Sequence, residues 1–121
     1  MVVDQLSDDE VDKLFHALAD KTRRDIVQRV LVSPQSVSAL AGEYSMSFAA
    51  VQKHVAVLER ARLVTKQKRG REQLVSGDPD TLRYASQLLD QYEQLWRHRV
   101  RAITDILSED TTNTDDNKEQ T

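Results

Sequence analysis

Apolar residues recur at helical spacing along most of the chain, and the places where the spacing breaks divide it into elements. Between Ser36 and Leu63 they fall at Val37, Leu40 and Ala41, then at Val51, Val55 and Leu58. The interruption from Glu43 to Met46 separates two short helices, and Ser47 is placed to cap the second by accepting a bond from a free backbone N–H. Two helices meeting at such a corner make a helix-turn-helix. Gly42 reads as interior to the first of the pair, at a cost of about 1 kcal/mol relative to Ala, which implies close packing there. Upstream, Val11, Leu14, Phe15 and Leu18 form the inward face of a helix opened by the capping box Ser7-x-x-Glu10, with Asp8, Asp9 and Glu10 in the turn the helix dipole favours for acids. Asp20 caps a further helix with Ile26, Val27, Val30 and Leu31 inward and Arg23, Arg24 and Arg29 outward, and Ser33-Pro34-Gln35 stops it.

Past Leu63 the helical period disappears. LVTKQK and EQLVS are rich in β-compatible residues and are joined at Arg69-Gly70-Arg71, where glycine supplies the positive φ a hairpin needs. Asp78-Pro79 then opens a last helix, a capping Asp with Pro at the first helical position. It runs to about Ser108 and carries Leu82, Ala85, Leu88, Leu89, Tyr92, Leu95, Trp96, Val100, Ile103, Ile106 and Leu107 in one broad stripe. About 30 residues of helix span about 45 Å, more than a small domain can cover. Part of the stripe therefore needs another surface. The predicted cover is a second copy of the chain, with Leu14, Leu88, Leu89, Tyr92, Leu95, Trp96 and Ile103 in a dimer seam. From Glu109 to Thr121 no apolar residue occurs, so a disordered acidic tail is expected after a single domain of residues 1–108. The predicted fold is mainly α with a small β-hairpin, a winged helix-turn-helix in the order α-α-α-α-β-β-α with a long C-terminal dimerisation helix.

Charge changes the picture once it is divided along the chain. The formal net charge of −3 over 121 residues suits a nucleic-acid binder poorly. Residues 1–20, however, carry a net −5 and residues 21–76 a net +7, with −2 over 77–109 and −3 over 110–121. The positive field thus belongs to the helix-turn-helix and the hairpin, and a local field is what phosphate contact requires. Between Arg60 and Arg71 there are six Lys or Arg and no acid. Such a run is most simply a solvated loop, but directly after a helix-turn-helix it reads as a wing lying along a DNA backbone.

With Val51, Val55 and Leu58 inward, the start of the second helix of the pair presents Ser47, Phe48, Ala49 and Gln52 outward. Gln can bond adenine through two atoms, Ser can donate or accept, and an aromatic ring or a methyl group can touch a thymine methyl. Lys53, His54, Arg60, Lys68, Arg69 and Arg71 are the expected contacts to the DNA backbone, although His54 can equally pack behind the helix.

Other chemistry is sparse. There is no cysteine, which excludes disulfides and thiol-based metal sites. The N-terminus lacks the pattern of a signal peptide and no apolar run is long enough to span a bilayer, so a cytoplasmic location without membrane contact is expected. No activated nucleophile, phosphate-binding glycine loop or acid/base pair points to an enzyme, and no cofactor is expected.

Three separated blocks carry a resemblance that covers most of the chain: LADKTRRDIV (18–27), VSALAGEYSMSFAAVQKHVAVLERARLVT (37–65) and KRGREQLVSGDP (68–79). In that order they resemble the ArsR-type winged-helix repressors, and YEQLWRHRV resembles the branch whose final helix bears an aromatic pair before an Arg-rich turn. The resemblance implies a homodimer that binds double-stranded DNA at an operator and represses transcription, often of its own operon. Metal-sensing members carry cysteine in the first helix of the pair, where this chain has Ala39, Leu40 and Ala41. On the last helix His98 has Gln94 and Ala102 as its helical neighbours, so no closely spaced ligand pair forms and no metal site is expected within one chain. The alternatives are a zinc-responsive repressor with its site across the dimer, and a winged-helix protein-interaction module that does not bind DNA. A small-molecule or protein effector is compatible with the seam between the long helices.

Overall fold

The computed structural model describes residues 6–120, with side chains from 6 to 108. In chain order the elements are α1 (Asp8–Leu18), α2 (Lys21–Val32), β1 (Gln35–Ser36), α3 (Val37–Ala41), α4 (Phe48–Arg60), β2 (Val64–Arg69), β3 (Glu72–Gly77) and α5 (Pro79–Gln120). Every helix start marked in the sequence is used. The Ser7 hydroxyl accepts from the Glu10 N–H while the Glu10 carboxylate accepts from the Ser7 N–H, completing the capping box of α1. Asp20, Ser36 and Ser47 cap α2, α3 and α4 by accepting from the N–H three residues on, and Asp78 accepts from Asp80 at the start of α5. Each such cap is worth about 1 kcal/mol.

Helix α1 ends on its neighbour. The Arg23 guanidinium donates to the carbonyls of Ala17 at 2.8 Å and His16 at 2.9 Å, and Arg24 donates to that of Leu18 at 2.8 Å. The last carbonyls of a helix lack a full set of intrahelical partners, that of His16 also accepting the Ala19 N–H at 3.1 Å, and a cation there also suits the dipole. Arg23 and Arg24 were expected to lie free on the outside, and they instead close α1.

The core gathers Leu14, Ile26, Val30, Leu40, Val51, Val55, Leu58, Leu63, Val64 and Val75, none more than 2 % exposed. The inward faces expected on α2, α3 and α4 supply most of it. Three residues depart. Leu14 lies wholly inside this core, so it is not available to a dimer seam, because α2 and α4 both pack across that side of α1. Phe15 and Leu31, expected inward, are 36 % and 40 % exposed, each at the edge of its helix's buried face.

The hairpin is part of a three-stranded antiparallel sheet of order β1-β3-β2. Strand β1 pairs Gln35 with Val75 and Ser36 with Leu74, and was not anticipated because two residues carry no alternation. In the β2–β3 ladder Arg69 faces Glu72, leaving Gly70-Arg71 as a two-residue loop. Gly70 has φ 64 and Arg71 is not in that region, the pattern of a type II′ turn with glycine first. At the far end of β3 Gly77 lies against α2: a Cβ there would sit 2.6 Å from the Leu31 side chain and 3.1 Å from its Cα. That is where close backbone packing occurs. Gly42 is instead the C-cap of α3 at φ −66, and a Cβ there would meet only ordinary contacts.

Helix α4 ends in a Schellman motif, with Leu63 N–H bonded to Leu58 C=O and Arg62 N–H to Glu59 C=O, both at 3.0 Å. The left-handed position, usually Gly, is Arg62 at φ 62. The side chain gives a reason for the exception: its guanidinium meets the Glu10 carboxylate of α1 at 3.0 Å.

The chain forms two compact units, one ending at Ala85 and one beginning at Ser86 within α5. Helix α5 is assigned to Gln120, beyond the expected end near Ser108, and no Pro or Gly interrupts it there. The expectation of disorder from residue 109 onward falls on residues whose side chains lie outside those described. No described helix is long and apolar enough to cross a membrane.

Candidate nucleic-acid interface

Helix α4 is held from behind and free in front. Val51, Val55 and Leu58 are at most 1 % exposed, which fixes the rotation of the helix and turns the opposite face to solvent. On that face Ser47, Phe48, Ala49, Gln52 and Lys53 are all exposed, Phe48 at 47 %. Ser47 uses one oxygen lone pair on Ala50 N–H at 3.1 Å, and its own O–H remains able to donate outward. The base-reading set read from the sequence is thus brought together at the N-terminal end of one helix.

The cations separate into two kinds. Arg29, Arg62 and Lys66 are engaged inside the fold, pairing with Asp25 and Glu43, with Glu10, and with Glu59. Lys53, Arg60, Lys68, Arg69 and Arg71 are exposed and have no ion pair among the described residues. The last three project from the hairpin around its Gly70 turn. Leaving five like charges solvated and unpaired on α4 and the wing has no stabilising role within the chain. It does suit a polyanion, whose condensed counterions each contact would release.

His54 differs from the other expected backbone contacts in being largely enclosed. Its ring is turned toward the start of α2, with Nδ1 3.5 Å from Arg23 Nη1 and 3.9 Å from Asp20 Oδ2, and the side chain is only 23 % exposed.

A cluster the sequence did not suggest sets the corner between α3 and α4. The Tyr44 hydroxyl donates to Asp25 at 2.5 Å, Arg29 donates to the same carboxylate oxygen at 2.9 Å, and the Arg29 guanidinium lies 5.7 Å from the Tyr44 ring centre. Burial, then the hydrogen bond to Asp25, pushes the Tyr44 hydroxyl up to about 12, so it stays a donor. The Tyr44 hydrogen bond, then that of Arg29, holds the Asp25 carboxyl below its ordinary 3.8. A lowered carboxylate contributes stability above its unfolded pKa and loses it as pH falls through the folded value. Tyr44→Phe is expected to cost about 1 kcal/mol at neutral pH, at the low end for a bond to a charged group because Asp25 is part exposed. Urea unfolding should show that difference shrinking in acid, as pH falls below the ordinary 3.8 and through the lowered value of the folded state. A difference that persists unchanged in acid means the loss came from packing instead.

The remaining seam residues lie on α5. Leu88 is half-buried, and Leu89, Tyr92, Leu95, Trp96 and Ile103 are 49–67 % exposed within one chain. No group of three or more His, Asp or Glu positioned for a metal occurs among the described residues.

The chain and its fold have counterparts among known proteins. No protein-family model matches the chain. The HTH-type transcriptional regulator Rv2034 of Mycobacterium tuberculosis is 38 % identical over 93 residues, which is 77 % of this chain and 81 % of that protein. Among solved structures, an ArsR-like transcriptional regulator from Rhodococcus sp. RHA1 is 32 % identical with a TM-score of 0.72, over 80 % of this chain and 92 % of that one. This chain belongs to the ArsR family. ArsR-family proteins with this architecture are winged helix-turn-helix transcriptional regulators, and DNA binding is the property the family implies. A more distant neighbour shares the fold at 21 % identity and a TM-score of 0.59, over 74 % of this chain and 90 % of that one. It is the homodimeric winged helix-turn-helix DNA-binding domain of Mb0332 from Mycobacterium bovis, a possible ArsR-family transcriptional regulator.

Proposed function

We propose that this ArsR-family regulator is a homodimeric repressor that binds an operator, including one upstream of its own gene. The observation that carries the reading is the set of five exposed, unpaired cations on α4 and the wing around a small base-compatible face. Lys53, Arg60, Lys68, Arg69 and Arg71 would hold the DNA backbone, and Ser47, Phe48, Ala49 and Gln52 would meet base edges. Pairing through α5 would present two such faces to half-sites about 10 base pairs apart or a multiple of that. The homodimeric state of the Mycobacterium bovis neighbour supports the pairing.

The test is titration onto a labelled duplex from the chain's own upstream region, against a scrambled duplex, at two salt concentrations. Specific binding that weakens steeply with salt is expected. The competing reading, a protein-interaction module without DNA, gains if neither duplex is bound. Within the interface, Gln52→Ala should cost about 1–3 kcal/mol at particular base pairs and relax the preference there. Arg71→Ala should weaken all duplexes alike and reduce the salt slope by about one contact. Equal losses from both substitutions on every duplex would sink this division between base and backbone contacts.

A further inference from the structure

Phe48 is the first residue of α4 and is 47 % exposed. The two residues before it serve the fold: Met46 packs against the core, and the Ser47 hydroxyl caps the helix. Phe48 does neither. It belongs neither to the core cluster nor to the apolar residues packed on it, and at a first helical turn a small or polar residue would serve the helix as well. A single exposed apolar side chain is ordinary on a protein surface. At the leading end of a recognition helix its position gives it a use.

Helical spacing sets its companions. Phe48 and Gln52 stand four apart and form one ridge, and Ala49 and Lys53 form the ridge beside it. All four are exposed. Guanine is most often recognised by a cation that meets O6 and N7 together, and the ridge of Phe48 and Gln52 holds no cation. Lys53, on the other ridge, is one of the cations proposed for the DNA backbone. An A·T pair fits better. Its major-groove edge presents the thymine C5 methyl, an apolar group suited to a ring, beside the adenine N7 and N6 groups suited to an amide.

We propose that Phe48 is a specificity-determining residue that buries the C5 methyl of a thymine in each half-site, near the adenine met by Gln52, so that the operator is recognised at A·T pairs through a methyl group. The inference rests on the DNA-binding reading and adds which base chemistry the leading end of α4 selects. Each buried methyl contributes about fourfold in affinity, and two half-sites together about fifteenfold.

The experiment selects duplexes from a random library with the full chain, then titrates the selected duplex in two forms, one with thymine and one with uracil throughout. Uracil keeps every base-pairing bond and lacks only the C5 methyl. The selected half-sites are expected to share an A·T pair, and the thymine form to bind about fifteenfold more tightly than the uracil form. With Phe48→Ala the thymine form should weaken by a similar factor and the gap between the two forms should close. Phe48→Leu replaces that variant if it fails to fold, and should narrow the gap; the comparison of the two forms by the unaltered chain needs no variant. Half-sites without a shared A·T pair, equal binding of the two forms, or a gap that survives the loss of the ring overturns the proposal, the last because the methyls then act through another residue or through the shape of the duplex. Specific binding that ignores the methyl leaves the DNA-binding reading standing, whereas a selection that enriches no sequence overturns both.

Discussion

Leu58→Ala is expected to lower the unfolding free energy by about 3 kcal/mol, the middle of the range for a buried leucine truncated to alanine. Leu58 is wholly enclosed and belongs to two structures at once. It fills the core beneath α4, and its carbonyl receives the Leu63 N–H that ends the helix, while the Leu63 side chain, also fully buried, provides the apolar contact usual in that motif. The substitution leaves the backbone bond in place and empties the space beneath it. For a domain whose total stability is about 5–15 kcal/mol, this removes a large share. Urea unfolding should show a lowered midpoint with an unchanged slope. A loss under 1 kcal/mol would mean that the site collapses around the smaller side chain and that α4 is held mainly by other contacts.

The second large effect concerns association. Replacing Leu95 and Trp96 together by Glu is expected to give a monomer that remains helical. Both residues are about two-thirds exposed within one chain, so the fold of that chain loses little by the change. The proposed seam, by contrast, would have to bury two carboxylates per protomer without partners. Loss of the second recognition face also removes the gain from engaging two half-sites, a factor of about 100 or more in affinity for the full operator. Sedimentation equilibrium gives the mass and circular dichroism the helix content. A variant that keeps the mass of the unaltered protein places the contact between copies elsewhere on the surface.

Much of the fold is written locally. Ser7, Asp20, Ser47 and Asp78 mark their helix starts by chemistry confined to a few residues, and the inward positions of α4 follow from period alone. The exposed face of α4 was legible for the same reason, since whatever is not inward at that spacing must be outward. What could not be read depends on partners distant in sequence. Arg23 and Arg24 look like surface cations until α1 turns back and offers its last carbonyls. Tyr44 meets Asp25 across 19 positions of chain, and β1 exists only because β3 lies beside it. Leu14 satisfies the pattern of a seam residue and of a core residue equally, and only the packing of α2 and α4 against it decides.

The separation of charge between an acidic first helix and a basic centre affects how quickly this regulator finds a partner as well as how tightly it holds one. A molecule of net negative charge approaching a polyanion is repelled on average, but on the proposed DNA-binding reading the unpaired cations of α4 and the wing would give it a torque that turns that face forward before contact. Approaches in other orientations are turned away early. Encounters are thereby filtered for orientation, at a rate that falls as salt shortens the reach of the field to about 10 Å at 0.1 M. On the same reading the acidic surface would limit unproductive residence on nucleic acid, so that selectivity would begin in the collision itself, ahead of any contact with a base.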